Sequence, residues 1–385
     1  MVPTTDWLGH PFPSRLHHIF EKIAEHHEVH VLRFTFYPDK KLETKLVVHE
    51  INDTKSKNLA LYYVTNAHKH FSAVYKIARE NRVDVVVISN LLAGFVAAEA
   101  LSRRFKTIFD LSDHFPSSGA GYYFDVNSIY GKLATLCLEK ILKATLKCVD
   151  STVTCSSILR DYVKNLGIGN VCTIPNGVDD FFFSKNDGDE IRQKYGLDGC
   201  VTVGYIGSIE FWVDMFPLLK AIEALSRSYD VKLMLVGGGL RTKVAQQVYR
   251  KIRSLRIEKN VVWIDFVPYC DVPSYIASMD ICTIPFSLNS PTAYYSAPNK
   301  LLEYLALEKA VITTLVPEIV LTAKPFVNFA TTSKDYMEII EGYIRDRGRY
   351  LEKAKKGRSF AMQLTWDKIA QKYENLLSEI ADNCK

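Results

Sequence analysis

Short runs rich in Val, Ile and Thr alternate with helical stretches along almost the whole of this 385-residue chain, and that alternation limits the fold more than any other feature. A strand followed by a helix and then another strand closes a right-handed crossover. A series of such units builds parallel sheets with helices on both faces. Runs at 29–36, 83–89, 107–110, 151–155 and 171–174 predict one series of strands, and runs at 202–206, 232–236, 260–264, 281–284 and 310–314 predict a second. At roughly 150 residues per domain the length holds two to three domains. Two doubly wound α/β domains in tandem account for both series, and no shorter internal repeat competes with them.

The joint falls at 181–198, where turn formers and charge surround a short helical segment. Apolar residues at Ile369, Tyr373, Leu376, Leu377 and Ile380 predict a last helix over 366–380 that returns to the first domain. The expected division is therefore 1–178 with 366–385, and 179–365. The beginning is unusual, because only Met1 and Val2 precede Pro3 where a first strand of about five residues is expected. Either that strand is very short or translation starts a few codons upstream. The stretch "VPTTDW" reads as the exit of a strand and favours the upstream start.

With 48% hydrophobic and 24% charged residues the chain can bury substantial cores and is not disordered. Its formal net charge of +5 is too mild for a nucleic-acid binder, but it suits an anionic surface or a phosphorylated substrate. The excess sits early, with 21 basic against 17 acidic residues through Asn165 and 27 against 26 after it. The eight cysteines, from Cys137 to Cys384, include no C-x-x-C pair, so they read as reduced thiols rather than a zinc ribbon or a disulfide framework. The longest apolar run, 85–98, falls short of the roughly 20 residues that span a bilayer, and no signal peptide is visible. A cytoplasmic location with at most peripheral membrane contact is expected. Lys132, Lys140, Lys143 and Lys147 recur near helical spacing among leucines, as on a solvated helix or on one that lies on an anionic membrane.

All ten histidines lie in the first 114 residues. His17, His18, His26 and His27 read as a solvated helix face. Asp113 and His114 follow the strand at 107–110, and in an open parallel sheet ligands bind outside the carboxyl ends of strands. The two residues either line a cleft or belong to a loop that caps a helix. In the second half, Gly204 and Gly207, then Gly237 to Gly239, form glycine loops after successive strands, where backbone N–H groups can approach a phosphate. Asn299 opens a helix with Lys300 in its first turn and Glu303 one turn on. A cation beside a helix N-terminus is favourable when an anion lies between them, and a carboxylate there can accept from a ribose diol. Asp187 and Asp189 read as helix capping, and no catalytic metal is expected.

The segments "VCTIPNGVDDFF", "MDICTIPF" and "PNKLLEYLALEKAVITT", supported by "VGYIGSIEFWVD" and "FDLSDHFP", resemble family-4 retaining glycosyltransferases of the GT-B fold over nearly the whole chain. The resemblance implies two facing Rossmann-like domains. The C-terminal one would hold a nucleoside diphosphate sugar of UDP or GDP type, and the N-terminal one a glycan, polyprenyl or glycolipid acceptor. It implies Gly207, Ser208, Asn299 and Lys300 on the diphosphate, Glu303 on the ribose, and backbone around Phe266 and Val267 on the base. Tyr295 stands where the family carries a glutamate toward the donor sugar, with Ser296 beside it. Ser208 and the 212–214 stretch replace the family's arginine and lysine in the first glycine loop, and Asp265 stands where many members have glycine. His114, with Asp113 as the alternative, would contact the sugar or acceptor. No metal and no cofactor beyond the substrate are implied. A sugar-nucleotide epimerase of the same fold and a non-catalytic nucleotide-binding subunit are the competing readings.

Overall fold

The structure is a computed structural model that describes residues 1–36, 42–56, 58–125, 127–184 and 187–382; Cys384 lies outside them. It is α/β throughout, and the chain divides into two compact units, Met1–Asn176 with Trp366–Lys385, and Gly177–Thr365. Among the described residues no helix is long and apolar enough to cross a membrane.

In the first unit β1 (His30–Arg33) pairs with β2 (Val47–Glu50). β3 (Val85–Ile88), β4 (Lys106–Leu111), β5 (Ser151–Thr154) and β6 (Val171–Thr173) pair in that order, and every pairing is parallel. The two sets are joined by the first two residues of the chain. Val2 N donates to Val87 O at 2.8 Å, Ser89 N to Val2 O at 2.8 Å and Leu32 N to Met1 O at 3.0 Å. Beside this short bridge lies a cavity of about 360 Å³ lined by Phe20, Val31, Val74, Val86 and Leu377. The Met1 ammonium donates to His30 O at 2.6 Å, and burial pushes its pKa down to about 5.

β4 and β5 have apolar or small buried side chains along nearly their whole length, as a sheet covered on both faces requires. Asp110 of β4 is the buried acid among them, and its partner is a buried arginine. Arg15, at the start of the helix Arg15–Ile23, donates to the carbonyls of Ile174 and Pro175 at 2.7 Å each and to Asn176 Oδ1 at 3.0 Å. Its Nε faces Asp110 at 3.4 Å. The helix Trp366–Asp382 completes this unit: Trp366 stacks on His18 at 4.7 Å between ring centres and Tyr373 meets Phe20 edge-on at 5.4 Å.

The second unit is one six-stranded parallel sheet in the order β12-β11-β10-β7-β8-β9. Its strands are β7 (Val201–Ile206), β8 (Val231–Val236), β9 (Val261–Ile264), β10 (Ile281–Ile284), β11 (Ala310–Thr313) and β12 (Asn328–Phe329). The chain builds outward from β7 to β9 and then returns to lay β10 on the other side of β7. Gly204 sits at that junction because Met279 packs against it: a Cβ there would lie 2.0 Å from the Met279 sulfur.

β2 and β12 were not foreseen. β2 is an edge strand with an exposed or half-buried HPH-poor sequence, and β12 is only two residues long, so neither carries the apolar run that marks a buried strand.

Removing one partner of a buried pair leaves an uncompensated charge, so Arg15→Ala should cost about 3 kcal/mol or more in urea unfolding. The exposed Lys140→Ala should stay within about 0.5 kcal/mol of the unsubstituted protein. Equal stabilities of the two variants would show that the Arg15 cluster does not hold the first unit together.

Candidate functional site

The winding reverses between β7 and β10, and open parallel sheets bind ligands outside the carboxyl ends of the strands at such a point. β7 ends at Ile206, and Gly207 follows with a φ of +128° that a side chain would strain. A Cβ on Gly207 would also come within 2.7 Å of Lys300 Nζ. Glycine therefore lets the ammonium sit directly against the turn.

Lys300 reaches this turn from the helix Asn299–Ala306. Its Nζ donates to Tyr205 Oη at 3.1 Å, lies 4.2 Å from the centre of that ring and 5.4 Å from that of Phe286. Tyr205 Oη in turn donates to Ser208 O at 2.8 Å, so the phenol ties the lysine to the glycine turn. The helix is anchored to β7 by Tyr304, whose hydroxyl accepts from Ile206 N at 3.0 Å. Half-buried placement pulls the Lys300 pKa down to about 8, against the attraction of Glu303.

Glu303 follows one turn later. Burial pushes its carboxyl up to about 7, Lys300 opposes the shift, and Asp179 adds to it. Asp179 accepts from Tyr269 Oη at 2.8 Å, and burial with both nearby carboxylates holds that phenol neutral. The site thus contains a lysine and a glutamate that both titrate near neutrality, backed by an Asp–Tyr pair. Perturbed groups of this kind concentrate where chemistry or binding occurs.

The neighbouring loops close in on the same turn. A Cβ on Gly237 would lie 3.2 Å from Gly207 O, and one on Gly238 3.2 Å from the Ser208 Cα. A Cβ on Gly239 would lie 2.9 Å from Asp265 Oδ1. Asp265, unexplained by its sequence position, accepts from Phe266 N at 2.8 Å and faces Arg241 at 3.7 Å, so it shapes the loop after β9. Phe266 is largely exposed, and Val267 packs on the core. Ser296 donates to Ala293 O at 2.8 Å, Tyr295 meets Tyr294 edge-on, and Asn299 is the first residue of the lysine-bearing helix. The structure therefore brings Gly207, Ser208 and Lys300 together, with Glu303 one helical turn from Lys300.

Tyr205, Phe286, Asp179 and Tyr269 were missed as site residues. Asp179 stands inside the "PNGVDD" segment, and that segment was the one available signal. Its partner Tyr269 is 90 positions away and leaves no local pattern.

In the first unit, His114 caps the helix Phe115–Gly121. Its Nδ1 lies 2.8 Å from Ser117 Oγ, its ring meets Tyr162 edge-on, and Nε2 is 3.8 Å from Glu139. Only 2% of the residue is exposed, and burial takes its pKa down to about 4. The histidine is therefore neutral and committed to the cap. Asp113 is half-buried, accepts from His114 N at 2.7 Å, and is pushed up to about 6 by burial, with Ser118 opposing.

Comparison with known proteins adds independent findings. Residues 15–180 match the family model described as Glycosyltransferase Family 4, and residues 200–345 match that described as Glycosyl transferases group 1. A protein of Bacillus subtilis (strain 168) named as a teichuronic acid biosynthesis glycosyltransferase, TuaH, is 28% identical over 239 residues. That alignment takes in 61% of this chain and 56% of the relative, so the chain spans little more than half the length of that protein. Among solved structures, sucrose-phosphate synthase of Thermosynechococcus elongatus superposes with a TM-score of 0.79 at 16% identity, covering 98% of each chain. Anabaena HepE in complex with UDP-glucose superposes with a TM-score of 0.76 at 17% identity, covering 98% of this chain and 99% of its own. At such identities the superpositions establish the fold, which is GT-B with Rossmann-like units.

The electrostatics of the site can be read directly. In carboxyl-detected NMR, Glu303 should titrate near 7, and Lys300→Met should move it upward, because the cation that favours the ionised form is gone. A midpoint that does not move would show that the two groups share no field.

Proposed function

The chain belongs to the family-4, group 1 glycosyltransferases, and on that premise we propose that it moves a sugar from a nucleoside diphosphate sugar of the UDP type to a lipid-carried glycan. Anomeric configuration is retained and no metal ion takes part. The observation that carries this reading is the Lys300 ammonium held against the Gly207 turn at the carboxyl end of β7, with Glu303 one helical turn on. A diphosphate needs positive charge, which Lys300 supplies, and N–H donors, which the residues after Gly207 would supply, since Gly207 N itself donates to Val236 O at 2.8 Å.

The proposed roles follow from the chemistry of each group. Lys300, with the backbone at Gly207 and Ser208 and the first turn at Asn299, holds the diphosphate and stabilises the charge that grows on it as the glycosidic bond breaks. A fixed ammonium does there what a divalent cation does in other transferases. Glu303 in its ionised form accepts from the ribose hydroxyls, while the loop at Phe266 and Val267 receives the base. Tyr295 and Ser296 border the donor sugar. Asp113 contacts the sugar or acceptor, and His114 acts through it by fixing the loop with its helix cap. The UDP preference draws on the likeness to a fold that holds UDP-glucose in Anabaena HepE, and the glycan acceptor on the name of the B. subtilis relative. Nothing in these comparisons favours the epimerase or the binding subunit.

A panel of UDP- and GDP-sugars scored for slow hydrolysis in EDTA tests donor class and metal independence together. UDP-sugar turnover that survives EDTA is the expected result, and activity restored only by a divalent ion would overturn the metal-free reading. Lys300→Ala should raise the donor KM by roughly 10- to 100-fold, the loss of one charge-assisted contact. In the free enzyme, Glu303 must be ionised and Lys300 protonated, so kcat/KM for donor should rise with pH near 7 and fall near 8. Glu303→Gln should remove the rising limb and Lys300→Arg the falling one. NMR of the first product formed fixes the anomeric outcome.

A further inference from the structure

Seven basic residues between 345 and 358 stand against two acidic ones in the same stretch, although the chain after Asn165 is nearly balanced, with 27 basic against 26 acidic residues. The excess is therefore local. Some of its members are paired: Arg345 faces Glu341 at 3.6 Å, Arg347 faces Asp280 at 3.2 Å and Arg358 faces Glu308 at 3.6 Å. Arg349, Lys353 and Lys356 are not, since none of them has an ion pair among the described residues. At 100° per residue these three fall within about 60° of one another on the helix Arg347–Ala361. They line one cavity of about 280 Å³ together with Asn328, Tyr350 and Glu352.

The middle cation is fixed in place. Lys353 is half-buried, and its Nζ donates to Val327 O and, at 3.0 Å, to Asn328 Oδ1. An ammonium has three N–H donors, so one remains for the cavity. Burial lowers the Lys353 pKa, and the Arg349 guanidinium lowers it further, so the two cations repel each other. A partly desolvated charge held beside a like charge is costly until an anion answers it. Three cations less one carboxylate, Glu352, leave a charge of +2 around the cavity, which is what a phosphate dianion balances. The planar guanidinium of Arg349 offers paired N–H donors to phosphate oxygens, and the two lysines add point charges.

This cavity is separate from the donor turn. It adjoins Asn328, the first residue of the edge strand β12, whereas Gly207 and Lys300 stand at the carboxyl end of β7. Three strand spacings, about 14 Å, lie between those two strands across the sheet. We propose that Arg349, Lys353 and Lys356 form a second anion site that takes a phosphate dianion, either free phosphate or a phosphate monoester. The site does not rest on the transferase reading, because it contains none of the residues assigned to the donor.

Titration calorimetry on the full chain at constant ionic strength and about pH 7.5, where phosphate is largely a dianion, tests it with inorganic phosphate and ribose 5-phosphate as probes. Arg349→Ala with Lys356→Ala should weaken binding at least about tenfold, the loss expected from one charge-assisted contact. Both side chains are exposed, so this variant should unfold at the unsubstituted midpoint in urea. Lys300→Ala, which removes the cation of the donor turn, should leave the binding in place. In nitrogen-detected NMR, saturating phosphate should raise the Lys353 pKa in the unsubstituted chain and leave it unmoved in the double variant. Tighter binding of ribose 5-phosphate assigns the site to a monoester, and tighter binding of inorganic phosphate assigns it to the free ion. Absence of binding by the unsubstituted chain overturns the proposal, as does binding that survives the loss of Arg349 and Lys356 but not that of Lys300. Displacement of phosphate by acetate at equal concentration shows simple charge screening and likewise overturns it.

Discussion

The second unit is organised by a change of direction. Its first strand, β7, becomes the middle of the sheet because the chain lays β8 and β9 on one side and then crosses back to lay β10, β11 and β12 on the other. Right-handed crossovers in opposite directions carry their connections to opposite faces, and the loops after β7 and β10 meet at this switch point, Asp214 N donating to Pro285 O and Ser287 N to Trp212 O at 2.8 Å each. Every special feature nearby serves that junction. Gly204 is small where Met279 presses in, Gly207 turns with a positive φ, and Tyr304 pins the helix Asn299–Ala306 to the end of β7.

The charges at this junction are costly to keep. Lys300 and Glu303 are both drawn toward their neutral forms by loss of water, and each partly protects the other's charge. The aromatic faces of Tyr205 and Phe286 add attraction for the ammonium, worth about 0.5–2 kcal/mol for such contacts. A pair held so near its neutral point responds strongly to a new charge. An arriving anion would favour the protonated lysine, and strain of this sort is expected at a binding site rather than in a packed core.

How much of this the sequence made legible depended on distance along the chain. The β-branched runs marked ten strands, since a strand buried on both faces must be apolar; β2 and β12, at the edges of their sheets, were freed from that requirement and left no mark. Lys300 and Glu303 were legible because a helix places neighbours three apart on one face, and Gly207 because a glycine after a strand signals a turn. The Asp179–Tyr269 pair was not, because the fold alone brings those segments together. His114 shows a different limit. Its place at the end of β4 was legible, but its 2% exposure depends on Tyr162 and Glu139, which no local pattern connects to it. The lysines of the helix Ile129–Cys148 stood out in the sequence, and at 100° per residue its exposed Leu133 and buried Leu142 fall on opposite faces.

The helix Trp366–Asp382 has a consequence for how the molecule is made. It belongs to the unit that begins at Met1, and its Ile369 and Tyr373 are fully enclosed there, Tyr373 against Phe20. A ribosome delivering about 5–20 residues per second releases all of Gly177–Thr365 before that helix appears. The unit synthesised first is therefore the one finished last. During the intervening seconds the apolar side of the helix Arg15–Ile23 waits uncovered, and the interval is set by the speed of translation, not by the stability of either unit.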